Sequence, residues 1–153
     1  MQESMSDDLH HRWMDFAVEE ARAGLAEGGI PIGSVLVESG QVLGRGHNRR
    51  VQQGNPVLHA EIDCLQNAGR IGKYVSCVLY STLMPCYLCA GAVVQFGIPV
   101  VVAGESENFP GARGFLESMG VRVIDLHRED CISMMKEFIN RCPGLWNEDI
   151  GRL

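Results

Sequence analysis

The chain has 153 residues, a mass of 16.8 kDa and a formal net charge of −6, and 46% of its residues are hydrophobic. This composition excludes a disordered, collagen-like or coiled-coil chain, and the length suits one domain with a full hydrophobic core. The acidic balance argues against DNA, RNA or an anionic membrane as the main partner, and no apolar run reaches the ~18 residues of a membrane span.

The first half of the chain predicts a helix, a β-hairpin and a second helix. Apolar residues recur at helical spacing from Leu9 to Leu25, and two glycines and a proline follow. Ser39-Gly40 separates two strand-like runs and is typical of a hairpin turn. Asn55 is placed to cap a helix that starts at Pro56. The predicted elements are a helix over 9–27, strands over 34–38 and 41–46, and a helix over 56–68.

The second half predicts three more strands that alternate with helices. The strand 100–103 is wholly apolar, which indicates burial on both faces. The predicted elements are strand 75–82, helix 86–96, strand 100–103, helix 112–119, strand 121–125, helix 129–141 and a short terminal segment over 145–150. This order predicts one α/β domain over residues 1–153, a three-layer α/β/α sandwich around a five-stranded mixed sheet.

His59, Cys86 and Cys89 stand at the openings of the two middle helices and are candidate metal ligands. The three-residue spacing puts both sulfurs on one side of a helix, and the partial positive charge of a helix N-terminus favours thiolates. One imidazole nitrogen and two thiolates leave one position of a tetrahedral zinc free for water, which is typical of a catalytic site. The pattern therefore predicts one Zn²⁺ per subunit.

Glu61 follows His59 by two residues and is the candidate catalytic residue. In the first turn of a helix, both side chains can lean past the helix end toward a shared site. Zinc lowers the pKa of a bound water toward ~7 and makes hydroxide available for attack. Glu61 is then placed to shuttle protons from that water to a ring nitrogen and to a leaving amine.

The C-x-x-C pair alone is compatible with three further roles. It could be a redox pair, part of the core, or half of a structural zinc site with His47, Cys64 or Cys77 as the fourth ligand. The joint pattern H-x-E…P-C-x-x-C, with each half opening a helix, favours the catalytic zinc site. Four isolated cysteines in apolar segments are predicted to be reduced core thiols. They are Cys64, Cys77, Cys131 and Cys142.

The H-x-E…P-C-x-x-C pattern is the signature of zinc deaminases. Over nearly its whole length the chain resembles the cytidine/deoxycytidylate deaminase superfamily, and within it the fungal-type cytosine deaminases, which act on the free base. The Trp-x-x-Asp-Ile-Gly tail at 146–151 is the narrowest motif and favours that subfamily. The other matching segments are 27–33, 43–48, 58–61, 80–83 and 97–99.

The resemblance implies hydrolytic deamination of cytosine to uracil and ammonia, by zinc-bound hydroxide with Glu61 as proton shuttle. It implies that Asn48 binds the pyrimidine carbonyl and that Asp149 accepts from a ring N–H that only the free base carries. Phe109 and Trp146 should cover the base. Ile32 should line the floor of the pocket. Each of these residues would also suit a plainer role, as a turn residue, a surface acid or ordinary packing.

Two positions depart from the fungal pattern: Ala60 stands where those enzymes have Gly, and Met84 where they have Ser. Both flank the reacting centre and the substrate pocket. They leave isocytosine, 5-methylcytosine and creatinine open as alternative substrates. A tRNA adenosine deaminase, suggested by the basic cluster of Arg45, Arg49 and Arg50, is a weaker alternative. The intact Glu61 argues against a non-catalytic zinc module.

The resemblance also implies a homodimer, with the apolar helices after the zinc motifs packed across the interface. Val93, Val94 and Phe96 are candidates for that interface, or else form the core face of their helix. The expected partners are a small nucleobase and a second copy of the chain, with no nucleic acid or membrane. Reduced thiols and a polar start at residues 1–8, unlike a secretory signal, predict a cytoplasmic location in pyrimidine salvage.

Overall fold

The computed structural model describes residues 2–152, with side chains from Asp7 onward. Met1 and Leu153, the ends of the predicted domain, lie outside the described residues. The helices are α1 Gln2–Ala26, α2 Arg50–Gln53, α3 Ala60–Ala68, α4 Tyr87–Phe96, α5 Arg113–Ser118, α6 Glu129–Arg141 and α7 Pro143–Asp149. The strands are β1 Gly33–Glu38, β2 Gln41–His47, β3 Cys77–Ser81, β4 Val100–Ala103 and β5 Arg122–Asp125.

The five strands form one mixed sheet in the order β2-β1-β3-β4-β5. Strand β1 runs antiparallel to β2 and β3, whereas β3, β4 and β5 are parallel. The hairpin turn is where the sequence predicts it: Ser39 and Gly40 both have positive φ angles, 48° and 75°, as a two-residue type I′ turn requires. The predicted sheet is confirmed.

Helices cover both faces of the sheet. Alternate residues of a strand point to opposite faces of the sheet, and the strands therefore contribute side chains to two apolar clusters, one on each face. One face packs on α3, α4 and α5 through Leu36, Leu79 and Val101. The other packs on α1 and α6 through Val35, Tyr80 and Val102. This confirms the three-layer α/β/α prediction and explains why β4 is wholly apolar.

Helix α1 begins at Gln2, earlier than the predicted start at residue 9. Residues 2–8 are mostly polar and acidic, so they carry no apolar stripe that helical periodicity could detect. Acidic residues near a helix N-terminus are favoured by the helix dipole. No helix within residues 2–152 has the length and apolar character to span a membrane.

Helix α3 begins at Ala60 with His59 as its N-cap, so the predicted start at Pro56 is wrong. Asn55 Oδ1 accepts a hydrogen bond from the Val57 N–H at 3.1 Å. Asn55 therefore closes a local turn rather than capping a helix, which is the other use of an Asn at such a position. The short helix α2 lies between the predicted strand over 41–46 and the predicted helix over 56–68, where no element is predicted.

Helices α4 and α6 match their predictions. Cys86 is the N-cap of α4, and Gly97 ends it in a left-handed conformation, φ 76°. Pro143 not only ends α6 but starts α7, because proline lacks only an N–H that the first turn leaves unpaired. Helix α7 joins an apolar cluster beyond the ends of β3 and β4, with Leu83, Met135, Phe138 and Trp146. The candidate site lies beside this cluster.

Candidate active site

The three predicted metal ligands meet where α3 and α4 begin. The ligand atoms of His59, Cys86 and Cys89 all lie within 4.8 Å of one another. His59 Nδ1 is 3.4 Å from Cys86 Sγ. Helices α3 and α4 contact each other, and their N-terminal ends lie close together. Two short motifs 27 residues apart therefore form one donor set.

This donor set fits zinc. The hydrogen bond from Cys89 lowers the pKa of Cys86 to about 4 despite its burial, and His59 adds to the lowering. A thiolate is the form of cysteine that binds zinc, and two sulfurs with one imidazole nitrogen leave the fourth tetrahedral position free. Burial lowers the pKa of His59, but the Cys86 hydrogen bond and the Asp149 charge outweigh it and raise the value to about 9. Metal binding would displace that proton.

The three residues that could supply a fourth ligand to a structural zinc site, His47, Cys64 and Cys77, all make other contacts. His47 contacts Glu20 and Glu27 through its two ring nitrogens. Cys64 donates its thiol to the Gly44 carbonyl at 3.3 Å. Cys77 is packed in the core. All six cysteines are free thiols, and Cys64, Cys77 and Cys131 are buried as predicted, while Cys142 is half-buried.

Glu61 is buried beside the metal ligands, on the wall of the pocket. Burial raises its pKa to about 7, and the negative charge of Cys86 acts in the same direction. A carboxyl group with such a value can hold or release a proton near neutral pH. The location suits the predicted proton shuttle, and that role stays a prediction.

Asn48 is fully buried, and a hydrogen bond fixes the orientation of its side-chain amide. Its Oδ1 accepts a hydrogen bond from the Arg50 N–H at 3.0 Å, and its own backbone N–H donates to the Ile32 carbonyl at 3.0 Å. This leaves Nδ2 as the free end, and it has no hydrogen-bond partner among residues 2–152. Asn48 therefore presents a donor to the pocket.

Asp149, at the end of α7, has a side chain that is only 4% exposed. Its Oδ1 lies 3.4 Å from His59 Nε2 and 4.0 Å from Arg50 Nε, yet forms no hydrogen bond within the described part of the chain. Burial raises the pKa of this carboxyl, while the His59 and Arg50 charges and the nearby Asn48 amide oppose the rise. Asp149 therefore presents an acceptor to the pocket that Asn48 also reaches.

The pocket encloses about 310 Å³ of space, including its open mouth. Every predicted site residue lines it except Cys89. The lining residues are Ile32, Asn48, His59, Ala60, Glu61, Leu83, Met84, Cys86, Phe109, Trp146, Asp149 and Ile150. The rings of Phe109 and Trp146 meet edge to face, with centroids 5.5 Å apart. Leu83 and Ile150 are not among the predicted residues, because aliphatic side chains give no chemical signal in a sequence.

Glu105 is a buried acid that no motif indicated. Its carboxylate accepts hydrogen bonds from the Asn108 backbone N–H at 3.0 Å and side-chain amide at 2.9 Å. Its carbonyl accepts from the Met84 N–H at 2.9 Å. Burial raises the pKa of this carboxyl. Glu105 thus fixes the loop that carries Phe109 against the segment that precedes Cys86.

The three arginines of the predicted basic cluster are all paired within the chain. The pairs are Arg45 with Glu19 at 2.9 Å and Glu20 at 3.2 Å, Arg49 with Asp63 at 3.0 Å, and Arg50 with Glu148 at 3.4 Å. These acids neutralise the cluster, so it presents little net positive charge to a polyanion. The cluster is therefore not a freely solvated loop face.

Comparison with protein families gives one match, the cytidine and deoxycytidylate deaminase zinc-binding region, over residues 7–105. That range contains the metal ligands, Glu61 and Asn48. Phe109, Trp146 and Asp149 lie beyond it.

Individual relatives extend the similarity to nearly the whole chain. A cytosine deaminase of Candida albicans is 45% identical over 141 residues, which cover 90% of this chain and 94% of that protein. A tRNA-specific adenosine deaminase of Streptococcus pyogenes is 30% identical over 142 residues, 84% of this chain and 89% of that protein. A guanine deaminase structure from Nitrosomonas europaea has a TM-score of 0.72 at 26% identity, with 82% of each chain covered.

Proposed function

The chain belongs to the cytidine and deoxycytidylate deaminase family, and from this premise we propose that it hydrolyses the free base cytosine to uracil and ammonia. The 45% identity to a cytosine deaminase, over most of both chains, supports this substrate more strongly than the 30% identity to tRNA-specific enzymes. The paired arginines and the net charge of −6 also disfavour a tRNA substrate.

The observation that carries the proposal is a pair of buried polar atoms in the pocket that form no hydrogen bond with the described residues. Asn48 Nδ2 is a donor, and Asp149 Oδ1 is an acceptor whose contacts with His59 and Arg50 are long, 3.4 Å and 4.0 Å. Cytosine carries a carbonyl oxygen and a ring N–H side by side, so its edge complements the two atoms. A nucleoside has its sugar on that nitrogen and would leave the Asp149 carboxylate unpaired, which costs about 1–3 kcal/mol or more. The site therefore favours the free base.

In the reaction, the ring carbon that bears the amine loses its C–N bond to that amine and gains a C–O bond. Zinc held by His59, Cys86 and Cys89 would supply a water whose pKa is lowered to about 7. Water adds to that carbon, the C–O bond forms, the C–N bond breaks and ammonia leaves. Glu61 takes one proton from the water and passes it to the ring nitrogen. It then takes the second proton of the same water from the added oxygen and delivers it to the leaving amine.

The remaining pocket residues hold the base and exclude water. Phe109 and Trp146 pack edge to face over the pocket, and Ile32 forms part of its wall. Ala60 and Met84 are both buried and narrow the pocket beside the metal ligands. Together they fix the plane of a flat ring, while Asn48 and Asp149 fix its rotation in that plane.

Ammonia release by the zinc-loaded protein tests the proposed function. The substrates are cytosine, isocytosine, 5-methylcytosine, creatinine, cytidine and guanine, each at the same concentration. We expect the highest rate with cytosine and no release from cytidine. Silence on cytosine with turnover of another ring would contradict the substrate, and a rate with cytidine equal to that with cytosine would contradict the role of Asp149.

We also propose a homodimer formed through α4 and α5. Val93 is fully buried in the core, so it is excluded from the predicted interface, and Val94 packs partly against the same core. Tyr87 and Leu88 on α4 and Met119, just after α5, are 72%, 43% and 54% exposed, and contiguous exposed apolar surface is typical of interaction sites. We expect light scattering to give a dimer at micromolar concentration and Leu88→Glu to shift it to monomer. A monomeric wild-type protein would contradict the proposal.

Residues 1–153 are proposed to form one deaminase domain acting in the cytoplasm in pyrimidine salvage. The six free cysteines support a reducing compartment. Fractionation of the native cell, with antibody detection of this chain, tests the location.

A further inference from the structure

His47, the residue before Asn48, is a buried imidazole between two carboxylates. Its side chain is 5% exposed. Its Nδ1 lies 3.0 Å from Glu20 Oε1, on α1, and its Nε2 lies 2.7 Å from Glu27 Oε1, just beyond the end of α1. Each ring nitrogen is thus within hydrogen-bonding distance of one carboxylate oxygen. The ring is thereby fixed at both ends.

Helix α1 is shaped around this ring. Gly24 lies inside α1, where a glycine weakens the helix relative to alanine. A Cβ at Gly24 would lie 3.0 Å from His47 Cδ2, closer than ordinary packing. The glycine therefore makes room for the imidazole, which indicates that its position is specified.

Gln52, on α2, connects this network back to Asn48. Its side-chain amide donates to Glu27 Oε1 at 3.2 Å and to the Asn48 carbonyl at 3.1 Å. A Cβ at Gly29 would overlap the Gln52 amide, so a larger residue there would displace this amide from its present position. Glu27 therefore bonds on one side to the residue before Asn48 and is linked on the other, through Gln52, to Asn48 itself.

A second carboxylate fixes both neighbours of Asn48 to the helix of the catalytic residue. Asp63 Oδ2, on α3, accepts from the His47 backbone N–H and from Arg49 Nε, each at 3.0 Å. Asn48 is thus bracketed by two bonds to one oxygen. Its backbone cannot shift unless the bonds of its neighbours change.

We propose that His47 is a positioning residue, which fixes the Asn48 backbone through Glu27 and Gln52 so that Asn48 Nδ2 points at the substrate carbonyl. This inference rests on the proposed function, in which Asn48 binds that carbonyl. A binding group has to be held within about 0.5 Å and 10–20° of its productive geometry, and its supporting residues supply that restraint. Because Asn48 contacts the substrate before and during the reaction, its displacement weakens binding in both states and raises KM more than it lowers kcat.

The test compares His47→Gln and Gln52→Ala with wild type in steady-state cytosine deamination by the zinc-loaded protein. Gln52 is half-buried on a four-residue helix, so its alanine variant provides a second test if His47→Gln folds poorly. We expect KM to rise about 10-fold in His47→Gln and less in Gln52→Ala, with kcat within about 3-fold of wild type. His10→Gln is the matched control: His10 is another α1-linked histidine, bonded to the Tyr80 hydroxyl at 2.8 Å and remote from Asn48. It should leave KM unchanged.

The side-chain amide signals of Asn48 in ¹⁵N-labelled protein give a readout that needs no substrate. We expect them to move in His47→Gln and Gln52→Ala but not in His10→Gln. Unchanged KM together with unmoved Asn48 signals would overturn the positioning role, as would a loss of kcat at constant KM. If wild-type protein releases no ammonia from cytosine, the proposed function fails, and the Asn48 signals alone then decide whether His47 positions this residue.

Discussion

The buried polar groups around the sheet are mostly hydrogen-bonded within the fold, whereas two buried polar atoms of the pocket have no hydrogen-bond partner among the residues that the structure describes. Ser34 Oγ donates to the Tyr80 carbonyl at 2.7 Å, and the Glu105 carboxylate accepts two hydrogen bonds from Asn108. Five buried side-chain atoms lack a hydrogen-bond partner within residues 2–152: Asn48 Nδ2 and Asp149 Oδ1 at the pocket, Arg50 Nε and Gln52 Oε1 close by, and Ser81 Oγ in the sheet.

This difference separates stability from function. An unpartnered buried polar group costs about 1–3 kcal/mol, so a fold tolerates it where a ligand completes the hydrogen bonds. Changes at the pocket should therefore alter kinetics and spare stability. Changes at a partnered group should reduce stability and affect kinetics only through the loop it holds.

Glu61→Gln should have the largest effect, because glutamine cannot carry the proton between water, ring and leaving amine. We expect kcat to fall by about 10²- to 10⁴-fold or more, with the zinc content unchanged, since Glu61 is not a ligand. Steady-state ammonia release and metal analysis measure the two quantities. Cys89→Ser is the contrasting variant and should lose both zinc and activity. Near-normal turnover in Glu61→Gln would remove its role as proton shuttle.

Asp149→Asn should come second. The substitution replaces the acceptor for the ring N–H with a group that can also donate, and we expect kcat/KM for cytosine to fall about 10- to 100-fold. Thermal unfolding should show little change in stability, because Oδ1 forms no hydrogen bond with residues 2–152 and its contacts with His59 Nε2 and Arg50 Nε are long, 3.4 Å and 4.0 Å. Glu148→Gln removes the neighbouring acid, which is 49% exposed, and should leave kcat/KM near wild type. A large loss of stability in Asp149→Asn would contradict the difference between pocket and sheet.

The sequence predicts the zinc site well because its information is local. Each half of the motif occupies a few residues at one helix start, and helix geometry places Cys86 and Cys89 on one side of α4. Contact between α3 and α4 then brings His59 to the two cysteines. The five strands are equally local, since each is a short run of apolar or alternating residues bounded by turn residues. The predicted start of α3 is wrong because Asn55-Pro56 suits both a helix cap and a local turn, and only tertiary packing decides between them.

The polar networks could not be predicted, because nothing in the residue types indicates which partners meet. Arg50 and Glu148 are 98 residues apart. Glu105 and Asn108 are close in sequence, but their burial depends on the packing of α6, whose Ile132 carbonyl also accepts from Asn108. From the sequence alone His47 is a plausible metal ligand. In the fold its two ring nitrogens contact the carboxylates of Glu20 and Glu27 instead. Local chemistry is visible in a sequence, whereas satisfaction of buried groups is a property of the assembled chain.

Glu105→Gln tests a partnered group and should have a smaller kinetic effect. Asn108 offers two N–H donors, and glutamine supplies one acceptor oxygen where the carboxylate supplies two. We expect the free energy of unfolding to fall by about 1–3 kcal/mol, measured in urea. A modest rise in KM should follow from the loosened Phe109 loop. Glu107→Gln removes an exposed acid from the same loop and should change neither quantity.

The smallest effect should come from His10, whose ring is bonded to the Tyr80 hydroxyl and does not line the pocket. Burial lowers its pKa from the ordinary value of 6.5, Asp7 opposes the shift, and Arg122 adds to it. The unfolded chain therefore takes up a proton near pH 6.5 that the folded chain resists, so stability should fall as pH drops below about 6.5. In His10→Gln that part of the slope should disappear, whereas His127→Gln, with 65% of its side chain exposed, should keep it. Urea unfolding between pH 5 and 8 measures the slope of unfolding free energy against pH. The kcat at pH 7.5 should be the same in wild type and in both variants, because the hydrogen bond between His10 and Tyr80 is satisfied within the fold and contributes to stability alone.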